Sequence, residues 1–98
     1  MNGDDGKMEN SRKVYVPVKA IFTDDGAIRP TALAWEDGQV YVIDRVLEVR
    51  PAAAMKAGGQ GDRYTVLING HESYLFFERN HSLTGNNLGR WFVERRGG

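Results

Sequence analysis

The run Arg63 to Glu78, RYTVLINGHESYLFFE, limits the fold more than any other stretch of the chain. Its apolar residues alternate on both sides of Asn69-Gly70. That dipeptide supplies the two positive φ angles of a type I′ turn, whose twist matches that of paired strands. With those two residues as the loop, Ile68 faces His71. Pairing then runs outward through Leu67 and Glu72, Val66 and Ser73, Thr65 and Tyr74, and Tyr64 and Leu75. One face of the hairpin carries Tyr64, Val66, Ile68, Leu75 and Phe77 and reads as core. The other carries Arg63, Thr65, Leu67, Glu72, Tyr74 and Phe76. This mixed face is the surface the sequence nominates for a contact, with Tyr74 and Phe76 expected to be exposed in an isolated monomer.

The rest of the chain supplies short strands around that hairpin. Val14 to Phe22 alternates, with Val14, Val16, Val18, Ala20 and Phe22 on one side and Tyr15, Pro17, Lys19 and Ile21 on the other. Pro17 has no amide hydrogen to give, so the strand is expected at an edge or paired on one side there. Thr23-Asp24-Asp25-Gly26 is a turn, and Ala27 to Trp35 a second strand in which Pro30 marks an edge or irregularity. With Asp37-Gly38 as a two-residue loop, Trp35 would face Val40 and Leu33 would face Val42. Val40 to Arg50 changes apolar phase across Asp44-Arg45, which a β-bulge or sharp bend produces. A helix over Ile43 to Arg50 is the rival, and the β-branched content favours strand. Ala52 to Lys56 can make one helical turn before the flexible Gly58 to Gly61 link. Asn80 to Gly89 is a polar loop. Arg90 to Arg95 is a last short strand, with Trp91 and Val93 on one face and Phe92 on the other.

Turn signals at regular intervals and period-2 alternation predict a mostly-β chain, a small antiparallel β-barrel or roll of SH3-like size with at most one short helix. Residues 14–95 form the single domain, flanked by a disordered N-terminal tail over 1–13 and a C-terminal tail over 96–98. Val16, Val18, Phe22, Tyr64, Val66, Ile68, Leu75 and Trp91 are the expected core.

Composition narrows the chemistry. The 98 residues contain no cysteine, which excludes disulfides and thiolate chemistry. No stretch approaches the ~20 apolar residues of a membrane span, and no signal-peptide core opens the chain, so no membrane contact is expected. Formal net charge is zero, which argues against a strong nonspecific polyanion binder. The charge is uneven, however. Residues 1–44 hold eight acids and five bases, and residues 45–98 hold five acids and eight bases.

No motif for catalysis emerges. The glycines at 58–61 lack the lysine and helix of a phosphate loop. His71 and His81 have no metal-ligand spacing, and most acids lie in turns, where Asp favours the local geometry. The chain is therefore expected to be no enzyme, with no cofactor and no metal. Aromatics interleaved with arginines are the remaining feature: Arg63, Leu67, Tyr74 and Phe76 on the hairpin, and Arg90 and Phe92 on the last strand. They suit a non-catalytic contact with a protein partner or a second copy. The alternative is a small barrel that stacks single-stranded nucleic acid on its rings.

The run WEDGQVYVIDRVLEVRPAAAMKAGGQGDRYTVLINGHESYLFFE, with GRWFVER after it, resembles a group of small uncharacterised bacterial proteins, a domain of unknown function. The resemblance spans Val14 to Arg95. Its most specific pieces are Trp35-Glu36-Asp37-Gly38, the segment from Gly58 to Tyr64, and Arg90-Trp91-Phe92-Val93. It implies a mostly-β domain in a bacterial cytoplasm and brings no catalytic residues.

Overall fold

Asn69 and Gly70 both take positive φ, 52° and 80°, so the central turn is of type I′. The computed structural model describes residues 11–53, 60–79 and 87–96. Among these the strands are β1 (Ser11–Tyr15), β2 (Val18–Phe22), β3 (Ile28–Ala34), β4 (Val40–Val42), β5 (Arg45–Ala53), β6 (Gln60–Ile68), β7 (His71–Arg79) and β8 (Gly89–Arg96), with no helix. They form two antiparallel sheets, one in the order β1-β8-β7-β6-β5 and one in the order β2-β3-β4. The β6–β7 register runs from Ile68↔His71 out to Gly61↔Glu78, as the turn dictates.

Two chain runs cross between the sheets. After β1, the Val16 amide donates to the Trp91 carbonyl at 3.1 Å, and the Pro17 carbonyl accepts from the Ala34 amide at 3.1 Å. Proline needs no donor partner at this corner. After β4, the Ile43 amide donates to Thr31 at 2.9 Å and the Asp44 amide to Leu67 at 2.8 Å. The change of phase at Asp44-Arg45 is thus a bend, followed by a bulge between Val46 and Glu48. The Asp44 carboxylate also accepts from the Asn69 amide at 3.1 Å, tying the corner to the central turn.

The core lies between the sheets. Val16, Leu33, Ile43, Tyr64, Val66, Leu75, Phe77 and Trp91 are buried there, with Val18 and Ile68 partly buried against them. Tyr64 closes one side by donating its hydroxyl to the Ile28 carbonyl at 2.8 Å.

Several expectations are corrected. Phe22 is 64% exposed. The β2–β3 register shifts between Lys19 and Ala20, so the alternation that starts at Val14 does not carry to the end of the strand. The Asp37-Gly38 turn is a three-residue loop: the Trp35 amide donates to Gln39 at 2.8 Å, and the Gly38 amide to Trp35 at 2.9 Å. Gly38, at φ 88°, supplies the left-handed residue that such a loop needs. Leu33 therefore faces Tyr41 rather than Val42, and Val40 and Val42 are each 63% exposed. Pro30 is fully buried in the central strand of its sheet, opposite Ala20 beside the bulge and beyond the stretch that β4 pairs. Strand β1 begins at Ser11, inside the expected tail, and β8 extends to Arg96. Ala52 and Ala53 end β5 rather than starting a helical turn; the rest of that expectation, with Gly58, Gly59 and His81, falls outside the described residues.

The turn gives a direct test. A side chain at Gly70 would meet nothing within 4 Å, so Gly70→Val is penalised by its positive φ alone. The expected loss is about 1–3 kcal/mol, read as a lower denaturation midpoint. A midpoint equal to that of the parent would overturn the turn type and the register derived from it.

Candidate functional site

Strand alternation places Arg63, Leu67, Tyr74, Phe76, Arg90 and Phe92 on one face of the five-stranded sheet, directed away from the core. The structure gathers them into two groups. Phe76 and Phe92 are cross-strand partners, and their rings stack at 4.9 Å with 5° between planes. Tyr15, opposite Phe92 on β1, meets it edge-on at 5.8 Å. The second group is Arg63 over the Tyr74 ring at 4.5 Å. Leu67 stands apart, beside Glu72 and Arg45 near the central turn.

Phe76 and Phe92 are 8% and 2% exposed, so the expected exposure of Phe76 is not found. Each ring covers the other, Tyr15 abuts Phe92, and the Lys13 ammonium lies 4.8 Å from the Phe92 ring. Tyr74 is 53% exposed, as expected.

Charge on this face is interleaved. Glu78 is its hub: it accepts from the Tyr15 hydroxyl at 2.7 Å and pairs with Lys13 at 3.5 Å. Arg90 lies over the Tyr15 ring at 3.9 Å. The Tyr15 hydrogen bond, and then the charges of Lys13 and Arg90, hold the Glu78 carboxyl below the ordinary glutamate range despite its partial burial. Arg63 pairs with Glu48 at 3.8 Å on this face, and Arg79 with Asp62 at 2.7 Å on the opposite one. Sequence reasoning missed Tyr15, Lys13 and Glu78. The signal for Tyr15 was its place on the polar side of the first strand, but its neighbour β8 could not be assigned.

The lowered Glu78 carboxyl fixes a sign. Its stabilisation is fully present above the unfolded value of ~4.3 and is lost as pH falls through the lower native value. Glu78→Gln should therefore melt below the parent at pH 7, with the gap closing as pH drops toward 3. A gap that is constant with pH would show that the carboxylate charge does not stabilise this cluster.

A second feature lies at the other end of β7. A groove of ≈ 530 Å³ is lined by Leu33, Trp35, Tyr41, Val66, Ile68, Ser73, Tyr74, Leu75, Phe76, Val93 and Glu94. It opens where β7 and β8 part: their register ends at Phe76↔Phe92, while β8 continues along β1 through Val93, Glu94 and Arg95. The end of β8 is held toward the smaller sheet by Arg95, which pairs with Glu36 at 2.8 Å. The lining is mainly aliphatic and aromatic, the usual character of a binding site of this volume. Among the described residues no group of three or more acids and histidines could hold a metal ion, and no helix is long and apolar enough to cross a membrane.

Comparison with protein-family models, with curated proteins and with solved structures finds no match to this chain, so the resemblance rests on the residues quoted above.

Proposed function

We propose that this chain is a non-catalytic protein-interaction module, working through the groove between β7 and β8 with Tyr74 at its rim. The observation that carries this reading is the groove itself: a ligand-sized, mainly apolar opening beside an exposed tyrosine. The corner hydrogen bonds at Val16-Pro17 and Ile43-Asp44 support reading the two sheets as a small barrel or roll, incompletely zipped at this place. Exposed Val40, Val42 and Phe22 also suit self-association. A bacterial cytoplasmic setting is what the resemblance implies.

Single-stranded nucleic acid is the second reading. Arg63, Arg90 and Lys13 each lie over a ring, and Tyr15 and Tyr74 are open to solvent. It is less favoured because Phe76 and Phe92 have their faces on each other, and two of the three cations have carboxylate partners. Salt separates the two. In fluorescence anisotropy, peptides selected from a random pool should lose at most a modest part of their affinity between about 50 and 300 mM salt, as screening of a few surface ion pairs gives. Affinity for a short single strand, were it to dominate, should fall by roughly one power of salt per phosphate neutralised. Selection of strands and not peptides, with that slope, would replace the first reading by the second.

A further inference from the structure

We infer that the gap between β7 and β8 takes an extended strand of a partner polypeptide, apolar at its inward positions and basic at its outward ones. The inference deepens the interaction reading and rests on it.

Ile68 and His71 flank a two-residue turn, so they exchange both main-chain hydrogen bonds. By alternation Ser73 and Leu75 bond to β6, while Glu72, Tyr74 and Phe76 direct N–H and C=O to the opposite side. Phe76 meets Phe92 there, but the ladder stops at that pair, leaving Glu72 and Tyr74 without a strand partner. On β8 the Trp91 carbonyl accepts from Val16 of the neighbouring run, so Trp91 and Val93 face β1. Glu94 therefore faces the gap. Two strand edges look at each other across an opening, each with unpaired main-chain groups. Such edges are templates for an added strand.

The side chains define what kind of strand. On the core side of the gap, Leu33, Trp35, Tyr41 and Ile68 offer apolar contact to inward residues. On the outer side, Glu72 and Glu94 flank the opening. Neither carboxylate has an ion-pair partner among the described residues; Lys13, opposite Glu94, is engaged with Glu78 instead. Of the cations on this face, Arg63 is held over Tyr74 and by Glu48. Lysine or arginine at alternate outward positions would meet these two acids, with Arg45 set back on the far side of Leu67 from Glu72.

The test uses the full chain and an end-blocked alternating lysine–valine hexapeptide. In the free protein the amides of Glu72, Tyr74 and Glu94 should exchange with solvent quickly, while those of Ser73 and Leu75 are protected. Saturating peptide should slow the first three by at least about tenfold. Methylating either alternate set of peptide nitrogens should weaken binding by about tenfold or more, since a strand between two edges uses both sets. Glu72→Lys with Glu94→Lys should transfer the preference to an alternating glutamate–valine peptide. Protection of those amides without peptide, or methylated peptides that bind equally well in the groove, would overturn strand addition and leave the interaction reading standing. Protection that rises with protein concentration alone would mean that a second copy takes the gap, which overturns the basic partner. Failure of every peptide, alternating or selected, would remove both readings.

Discussion

Leu75→Ala should cost the domain about 2–5 kcal/mol and lower its melting temperature by more than ~10 °C. Leu75 is 1% exposed and sits opposite Tyr64 in the middle of the inter-sheet core. Truncation removes the transfer energy of the lost methyl groups and leaves a cavity that buried Val66, Phe77 and Trp91 around the core can only partly fill. A domain of this size is stable by only ~5–15 kcal/mol, so the loss is a large share of the total. Phe22→Ala, at an exposed position, should stay within ~0.5 kcal/mol of the parent. Equal melting of Leu75→Ala and the parent would mean that the central hairpin has been turned inside out.

Gly61→Ala should be nearly as damaging for the opposite reason. Gly61 pairs with Glu78 on one side and Ala52 on the other. A Cβ there would lie 2.3 Å from the Phe77 carbonyl oxygen and 3.3 Å from its carbon. The obstacle is backbone, so no rotamer change relieves it and β6 must shift from β7. The expected loss is about 1–3 kcal/mol or more, as for overpacking in a close-packed interior. Gly26 is the control: it has positive φ but open space around it, so its alanine variant carries only the backbone penalty. A Gly61→Ala midpoint in denaturant above that of Gly26→Ala would contradict the close β6–β7 approach.

What was legible in the sequence depended on local rules. Asn69-Gly70 set the turn, the turn set the register, and the register sorted Tyr64, Val66, Leu75 and Phe77 to the inside. The bend near Asp44 was visible because the apolar phase slipped there. The Asp37-Gly38 loop was misjudged by one residue, because two- and three-residue hairpins can share the same dipeptide, and one residue exchanges the faces of a strand. Phe76 and Phe92 were placed on the correct face, yet their burial comes from stacking among β1, β7 and β8, an adjacency no local pattern carries. The gap was invisible for the same reason. It exists because a ladder stops at Phe76 and Phe92 while β8 follows β1. Composition did not reveal Trp35, Tyr41 and Val93 as one lining, since they lie on three different elements.

The claim that the chain binds protein through this groove is tested most directly by an amide chemical-shift map of the labelled protein during titration with a selected peptide. Shifts should concentrate at Leu33, Trp35, Tyr41, Ile68, Tyr74 and Val93. Shifts centred instead on Lys13, Tyr15 and Arg90, produced by a single-stranded oligonucleotide and lost steeply with added salt, would contradict that claim.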